Sequence, residues 1–89
     1  MAAAEEGQAA GSPLRSVVEV VAKALVDHPE SVEVTETARR GMTFVELSTA
    51  PGDMGKIIGR QGRTAAALRT LVGLAAERMG VRAQLDIRD

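Results

Sequence analysis

The sequence has few of the residues that most often carry chemistry. Its 89 residues include no cysteine, no tryptophan, no tyrosine, one phenylalanine and one histidine. Without cysteine there is neither a disulfide framework nor a thiolate metal site, and we expect no metal and no cofactor. The histidine, His28, lies in an Asp-His-Pro turn, and the sequence implies no cysteine or serine partner for it. Because general acid–base and nucleophilic catalysis need paired catalytic side chains, we expect a protein that is not an enzyme.

Long apolar segments are also absent, since no apolar run approaches the roughly 20 residues of a membrane span. Residues 1–11 contain Glu5 and Glu6 where a secretory signal would be apolar. We therefore expect a soluble, cytoplasmic protein with no membrane contact. Its predicted organisation is a disordered leader, residues 1–11, followed by one small domain, residues 12–89.

Charge is distributed unevenly along the chain, although the net charge is only −1. Residues 1–53 carry four basic and nine acidic side chains, whereas residues 54–89 carry seven basic and three acidic ones. No acidic residue occurs between Asp53 and Glu77, but four basic ones do. This asymmetry fits a polyanion ligand and fits a solvated helix face equally well. With Phe44 as the only aromatic residue, multi-ring base-stacking platforms are excluded, so amides, cations and aliphatic surface would have to hold a nucleic acid.

Three helices are predicted. Ser12-Pro13 is a helix-start signal, and the first helix ends before Pro29. Its predicted buried stripe is Leu14, Val17, Val18, Val21 and Leu25. A short helix capped by Asp53 ends near residue 58, and a longer helix spans residues 63–79 before Gly80. The predicted buried face of this long helix is Leu68, Leu71, Val72, Ala75 and Met79.

Three alternating segments are predicted to be strands, at residues 32–35, 43–49 and 81–88, with a hairpin loop at residues 37–41. The order is then α-β-β-α-α-β. The hairpin makes the first two strands antiparallel, and the two-helix crossover makes the last two parallel. The predicted fold class is therefore α+β, a three-stranded mixed sheet with helices packed on one face.

The motif Gly59-Arg60-Gln61-Gly62 lies between the two predicted helices. A GxxG spacing alone is also typical of a tight helix–helix turn. Here, however, the glycines would let a phosphodiester backbone approach closely. The amides of residues 62–65, at the positive end of the next helix, are expected to face phosphates. Lys56, Arg60 and Arg63 place cations around the same point, so the turn is predicted to bind a phosphate backbone.

The run from Asp53 to Leu71 resembles the signature of bacterial type II KH domains, and in particular of the small KhpA family. The resemblance covers about residues 13–88. It implies that a GxxG loop grips single-stranded RNA while the bases lie in an aliphatic groove. It implies that Gly59, Arg60, Gln61 and Gly62 form the clamp, and that Arg39 and Arg40 lie in a variable loop on the far side of the groove. The groove wall that it implies contains Ile57, Ile58, Thr64 and Ala65. The cations Lys56 and Arg63 complete the predicted RNA-binding residues. Ala65, where many KH domains have a larger aliphatic residue, implies a shallower groove. The implied role is post-transcriptional regulation or RNA chaperoning.

Two other functions fit parts of the sequence. A helix-turn-helix DNA-binding domain also contains a short helix, a turn and a longer helix, but the three predicted strands argue against it. The second is a KH-fold protein-interaction module with little RNA binding. Its sequence would resemble that of an RNA-binding KH domain everywhere outside the GxxG loop.

Self-association is a separate prediction. The outer face of the long helix is expected to carry Ala66, Ala67, Thr70, Gly73 and Leu74. Small residues around one leucine suit close helix–helix contact and are equally typical of an alanine-rich surface helix. The prediction is a homodimer, or a heterodimer with a larger multidomain KH protein, through this face.

Overall fold

The computed structural model describes residues 12–88, and in them the predicted order of elements is confirmed. The helices are α1 (Pro13–Leu25), α2 (Met54–Ile58) and α3 (Arg63–Met79), and the strands are β1 (Glu33–Arg39), β2 (Met42–Ser48) and β3 (Arg82–Arg88). Short 3-10 turns occupy Pro29–Ser31, Pro51–Asp53 and Arg60–Gly62. The predicted leader, residues 1–11, lies outside the described residues. Among the described residues, none of the helices combines the length and the apolar composition that a membrane span requires.

Strand β2 lies at the centre of the sheet. It pairs antiparallel with β1, where Arg39 lies opposite Met42. It pairs in parallel with β3, where Met42 lies opposite Arg82. The strand order β1-β2-β3 is therefore the mixed sheet predicted from the two connection types.

The hairpin between β1 and β2 is tighter than predicted. Strand β1 continues to Arg39, so the turn consists of Arg40 and Gly41 and not of the five residues 37–41. Both turn residues have positive φ, 52° and 78°. Two residues of this kind form the turn whose twist matches that of a two-stranded ribbon. The predicted loop was wrong because most of β1 is exposed on both faces, which leaves no alternating pattern in its sequence.

The core lies between the three helices and one face of the sheet. Its fully buried members include Leu14, Val18, Val45, Leu47, Ile57, Leu68 and Val72. The helical stripes differ from the prediction: Leu25, Leu71 and Met79 are 40%, 44% and 40% exposed. Alanines, namely Ala22, Ala65 and Ala76, are buried instead. Because alanine gives little hydrophobic signal, the pattern favoured larger side chains on a neighbouring part of each helix.

Two predicted caps do not form. Ser12 precedes α1, but its hydroxyl makes no capping hydrogen bond. Asp53 precedes α2 and likewise makes no capping bond. Its carboxylate is buried, and Oδ2 accepts a hydrogen bond of 2.9 Å from the His28 amide. Asp53 therefore joins the segment after α1 to the start of α2, and so fixes the base from which the GxxG turn projects.

Candidate nucleic-acid interface

The turn Gly59–Gly62 (the GxxG loop) is held by its own backbone. The Gly59 amide donates to the Gly55 carbonyl at 2.9 Å, which ends α2. The Gly62 amide donates to the Gly59 carbonyl at 3.1 Å, and the Arg63 amide donates to Arg60, so the loop forms one 3-10 turn. Helix α3 begins directly after it. The loop thus has a defined shape although its side chains are mostly exposed.

The two glycines have different structural roles. Gly59 has φ 77° and ψ 171°, a region that is essentially restricted to glycine. A Cβ built there would collide with the Thr64 hydroxyl oxygen and lie 2.7 Å from its Cβ and 2.9 Å from its amide nitrogen. Gly62 has φ 72° and ψ 14°, and a Cβ there would meet nothing within 4 Å. Gly59 therefore fixes the approach of α3, whereas Gly62 leaves open space beside the loop.

The start of α3 offers fewer amides than the sequence predicts. Residues 62–65 were expected to face phosphates with four amides, but those of Gly62 and Arg63 already donate inside the turn. The candidates that remain are Thr64 and Ala65. The positive end of the α3 dipole lies at this point whichever amides are free, so the loop remains electrostatically suited to an anion.

The cations around the loop are not equivalent. Arg60 and Arg63 are exposed, and together with Gln61 they line a surface cavity of about 350 Å³. Within residues 12–88, neither arginine has a carboxylate within 4.0 Å. Lys56 differs, because its Nζ lies 3.2 Å from the Asp27 carboxylate. The two arginines therefore supply most of the uncompensated positive charge.

The predicted groove residues divide between the surface and the core. Ile58 is 37% exposed and Thr64 is half-buried. Ile57 has no exposed surface and Ala65 only 3%, so both belong to the packing between α2, α3 and the sheet. Direct contact with a ligand is open to Ile58 and Thr64. Ile57 supports the loop from the core. The small size of Ala65 affects the packing between helices more than the depth of the groove.

Arg39 and Arg40 lie far from the loop. They adjoin Met42, which pairs with Arg82 just after the C-terminal end of α3. The loop is at the other end of this 17-residue helix, about 25 Å away along its axis. The structure therefore does not bring these arginines together with Gly59–Gly62. The Arg39 guanidinium instead lies 5.0 Å from the centroid of the Phe44 ring, a distance typical of a cation–π contact.

The sequence matches the protein family described as KhpA/KhpB, KH domain, over residues 15–87. This chain belongs to that family. Similar proteins include "RNA-binding protein KhpA" of Halalkalibacterium halodurans, 50% identical over 76 residues that cover 85% of this chain and 100% of the relative. The protein of the same name from Caldanaerobacter subterraneus is 55% identical over 60 residues, 67% of this chain and 80% of the relative. That of Aquifex aeolicus is 42% identical over 76 residues, 85% and 96%.

Membership of the KH family agrees with the fold. The predicted α+β class and the KH resemblance are both confirmed, and the three-stranded sheet rules out an all-helical helix-turn-helix domain. KH domains are in general RNA-binding modules and not enzymes. In residues 12–88, no group of three or more His, Cys, Asp or Glu side chains could hold a metal ion.

Proposed function

We propose that this KH protein binds short single-stranded RNA through the GxxG loop and acts as a post-transcriptional regulator or RNA chaperone in the cytoplasm. The observation that carries the proposal is the loop itself. Gly59 packs closely against Thr64, whereas the space beside Gly62 is unoccupied. Around one cavity, the side chains of Arg60, Gln61 and Arg63 are exposed. The similar proteins from other bacteria, each named "RNA-binding protein KhpA", support the same function.

The proposed contact is led by the phosphate backbone. The backbone of the RNA passes over the open side of Gly62, where no side chain blocks its approach. Arg60 and Arg63 pair with phosphates on either side, and the α3 dipole adds to their field. Ile58 and Thr64 offer the adjoining surface to the bases. A KH loop holds about four nucleotides in this way, so each site binds weakly and with modest base selectivity.

Salt dependence tests this contact. With two unpaired arginines and one partly neutralised lysine, log affinity for a tetranucleotide should fall with log salt at a slope of about −1.4 to −2. Arg63→Ser should make the slope shallower by about 0.7, because one phosphate contact is lost. Lys56→Ser, the matched variant, should reduce it less because Asp27 already shares that charge. Fluorescence anisotropy across a salt series measures all three. An affinity that does not depend on salt would mean that phosphates do not lead the contact.

Competition experiments separate this function from its two alternatives. Unlabelled double-stranded DNA should displace the bound RNA poorly, because a loop that grips one backbone does not match a duplex. Strong displacement by the duplex would favour a DNA-binding function. A protein-interaction module with little RNA binding would instead bind neither nucleic acid in the micromolar range.

We further propose that the chain pairs with a second KH domain, in a homodimer or a heterodimer, through the outer face of α3. The predicted members of that face, Ala66, Ala67, Thr70, Gly73 and Leu74, are all exposed. Leu71, predicted to be buried, is exposed as well and enlarges the apolar surface. The Thr70 hydroxyl donates to the Ala66 carbonyl at 3.1 Å, so it needs no water. Pairing would join two weak RNA sites and raise apparent affinity through effective concentration.

A single charge should disrupt this pairing. Leu74 is 54% exposed at the middle of the face, so Leu74→Asp places an unpaired carboxylate in the interface without disturbing the core. Light scattering at tens of micromolar should then change from a dimer to a monomer. Val20→Asp on α1, where the side chain is 67% exposed, is the matched control and should leave the dimer intact. A monomeric parent chain, or a dimeric Leu74→Asp variant, would contradict this interface.

A further inference from the structure

The face of the sheet opposite the helices has its own chemistry. Val45 and Leu47 of β2 are buried in the core, so the alternating residues Met42, Phe44 and Glu46 lie on the opposite face. No helix of residues 12–88 packs its buried side chains there. We call it the open sheet face. It holds Phe44, the only aromatic residue of the chain, and leaves it partly exposed.

Charge separates along this open sheet face. At the end next to the β1–β2 turn, Arg39 and Arg40 adjoin Met42, and Arg82 lies opposite Met42 on β3. None of these three arginines has a carboxylate within 4.0 Å among the described residues. At the other end, Arg88 lies 3.3 Å from Glu46 and 3.1 Å from Asp86. The end next to the β1–β2 turn therefore carries arginines without a carboxylate partner, and we call it the basic end. At the other end of the face, Arg88 is neutralised by its two carboxylate neighbours.

The basic end contains a cavity with mixed polar and flat apolar walls. Arg39, Arg40, Met42 and Phe44 line a volume of about 430 Å³, within the range of small-ligand sites. The Arg39 guanidinium lies over the Phe44 ring at 5.0 Å from its centroid. Aromatic rings and guanidinium planes are the two side-chain surfaces on which unpaired bases stack. Arg40 also lines the cavity, and Arg82 lies opposite Met42 on the neighbouring strand, so both add positive charge at this end.

We propose that the basic end is a second RNA contact, which holds one nucleotide of a single strand with its base stacked at Phe44 and Arg39 and its phosphates near Arg40 and Arg82. A nucleotide combines a flat ring with an anion, and both features of the cavity are then used. An acidic peptide would satisfy the arginines but would make no use of the flat surface that Phe44 and Arg39 present together. The inference rests on RNA binding as the proposed function and adds a second point of contact to the GxxG loop.

The two contacts are too far apart for a very short RNA. The loop and the basic end lie at opposite ends of α3, about 25 Å apart along its axis, and the basic end faces away from the helices. A tetranucleotide held by the loop does not reach the basic end. A strand of about twenty nucleotides does, and the second contact then forms at a high effective concentration. Pairing of two chains would also make affinity depend on RNA length. The signature of this site is therefore a change at the basic end that weakens binding of the long RNA and not of the tetranucleotide.

The experiment compares two RNAs and three variants by fluorescence anisotropy. Phe44→Leu removes the ring but keeps an apolar side chain, and Arg82→Ser removes an exposed cation. Arg88→Ser is the matched control, because it removes the arginine at the other end of the same strand and the same face. Phe44→Leu and Arg82→Ser should each weaken binding of an unstructured 20-nucleotide RNA about fivefold or more. Binding of a tetranucleotide should change less than twofold, and Arg88→Ser should change neither affinity more than twofold.

Failure here is distinguishable from failure of the proposed function. If Phe44→Leu and Arg82→Ser bind the 20-nucleotide RNA like the parent chain while changes in the GxxG loop weaken it, the second contact is wrong and the loop assignment stands. If neither RNA binds the parent chain, the proposed function itself fails. Should Phe44→Leu unfold, the exposed Arg82→Ser decides. Hexaglutamate tests whether charge alone is recognised. If this peptide displaces the 20-nucleotide RNA from the basic end as effectively as a free nucleotide does, the stacking site is overturned.

Discussion

Replacing Arg60 and Gln61 together by aspartate is expected to weaken binding of single-stranded RNA at least tenfold, a loss of about 1.4 kcal/mol or more. The change puts two negative charges where phosphates are proposed to lie. Folding should be nearly unaffected, because both side chains are exposed. Gln61 has φ 56°, and aspartate is among the residues that tolerate this left-handed conformation. Fluorescence anisotropy with a short RNA gives the affinity, and thermal melts followed by circular dichroism give the stability.

A matched variant controls for overall charge. Arg78→Asp combined with Ala24→Asp changes the net charge by the same amount, at two exposed positions outside the loop. Its affinity for a tetranucleotide should remain within about threefold of the parent, because neither position belongs to the loop and salt at 0.1 M screens exposed charges over about 10 Å. Equal losses in the two double variants would mean that RNA responds to net charge and not to the GxxG loop. Parent-like binding by the loop variant would remove the loop from the site.

Gly59→Ala is expected to cause the largest loss of stability of any single change in the loop. The added Cβ would lie 2.7 Å from the Thr64 Cβ and 2.9 Å from its amide nitrogen, so α3 or the loop must move. The backbone at φ 77° and ψ 171° adds further strain. The free energy of unfolding should fall by about 2–3 kcal/mol, which for a domain of this size lowers Tm by roughly 10–20 °C. RNA affinity should fall as well, because the loop no longer holds its shape.

Gly62→Ala is the comparison that isolates the collision. Gly62 also has positive φ, 72°, but an added Cβ there meets nothing within 4 Å. Only the conformational penalty of a left-handed L-residue applies, about 1 kcal/mol. Chemical denaturation of both variants measures the difference between them. Equal destabilisation would indicate that Thr64 does not restrict Gly59, and that the two glycines serve only as flexible points.

Much of the fold was predictable because each element carries a local signal. Helix α3 spans residues 63–79 as predicted, since Gly80 marks its end and also adopts positive φ. The sheet topology followed from connection length alone. Burial along the helices was less predictable. Leu71 looks like a core residue in the sequence but is 44% exposed, while Ala76, which carries little signal, is buried. The sequence shows how apolar a position is, but not how closely a neighbouring helix approaches.

The candidate site shows the same division. The GxxG loop was predictable because it is contiguous in the chain and flanked by helix signals. Lys56 pairs with Asp27, which is distant in sequence, and no local sequence pattern predicts such a contact. Likewise, Phe44 and Arg82 come together only because β2 and β3 pair in parallel. Because residues 37–41 were predicted to be a hairpin loop, the sequence did not show that Arg39 belongs to a strand and lies over the Phe44 ring.

The exposure of Arg60 and Gln61 has a consequence for how such a protein can evolve. Neither side chain is part of the core, so mutations there alter ligand contacts while leaving folding nearly unchanged. Binding strength can therefore drift at these two positions without approaching the threshold below which the domain unfolds. The freedom is unequal, because the left-handed backbone at Gln61 disfavours β-branched residues. We expect position 60 to accept a wide range of side chains, and position 61 to accept mainly glycine, asparagine, aspartate and similarly tolerant residues.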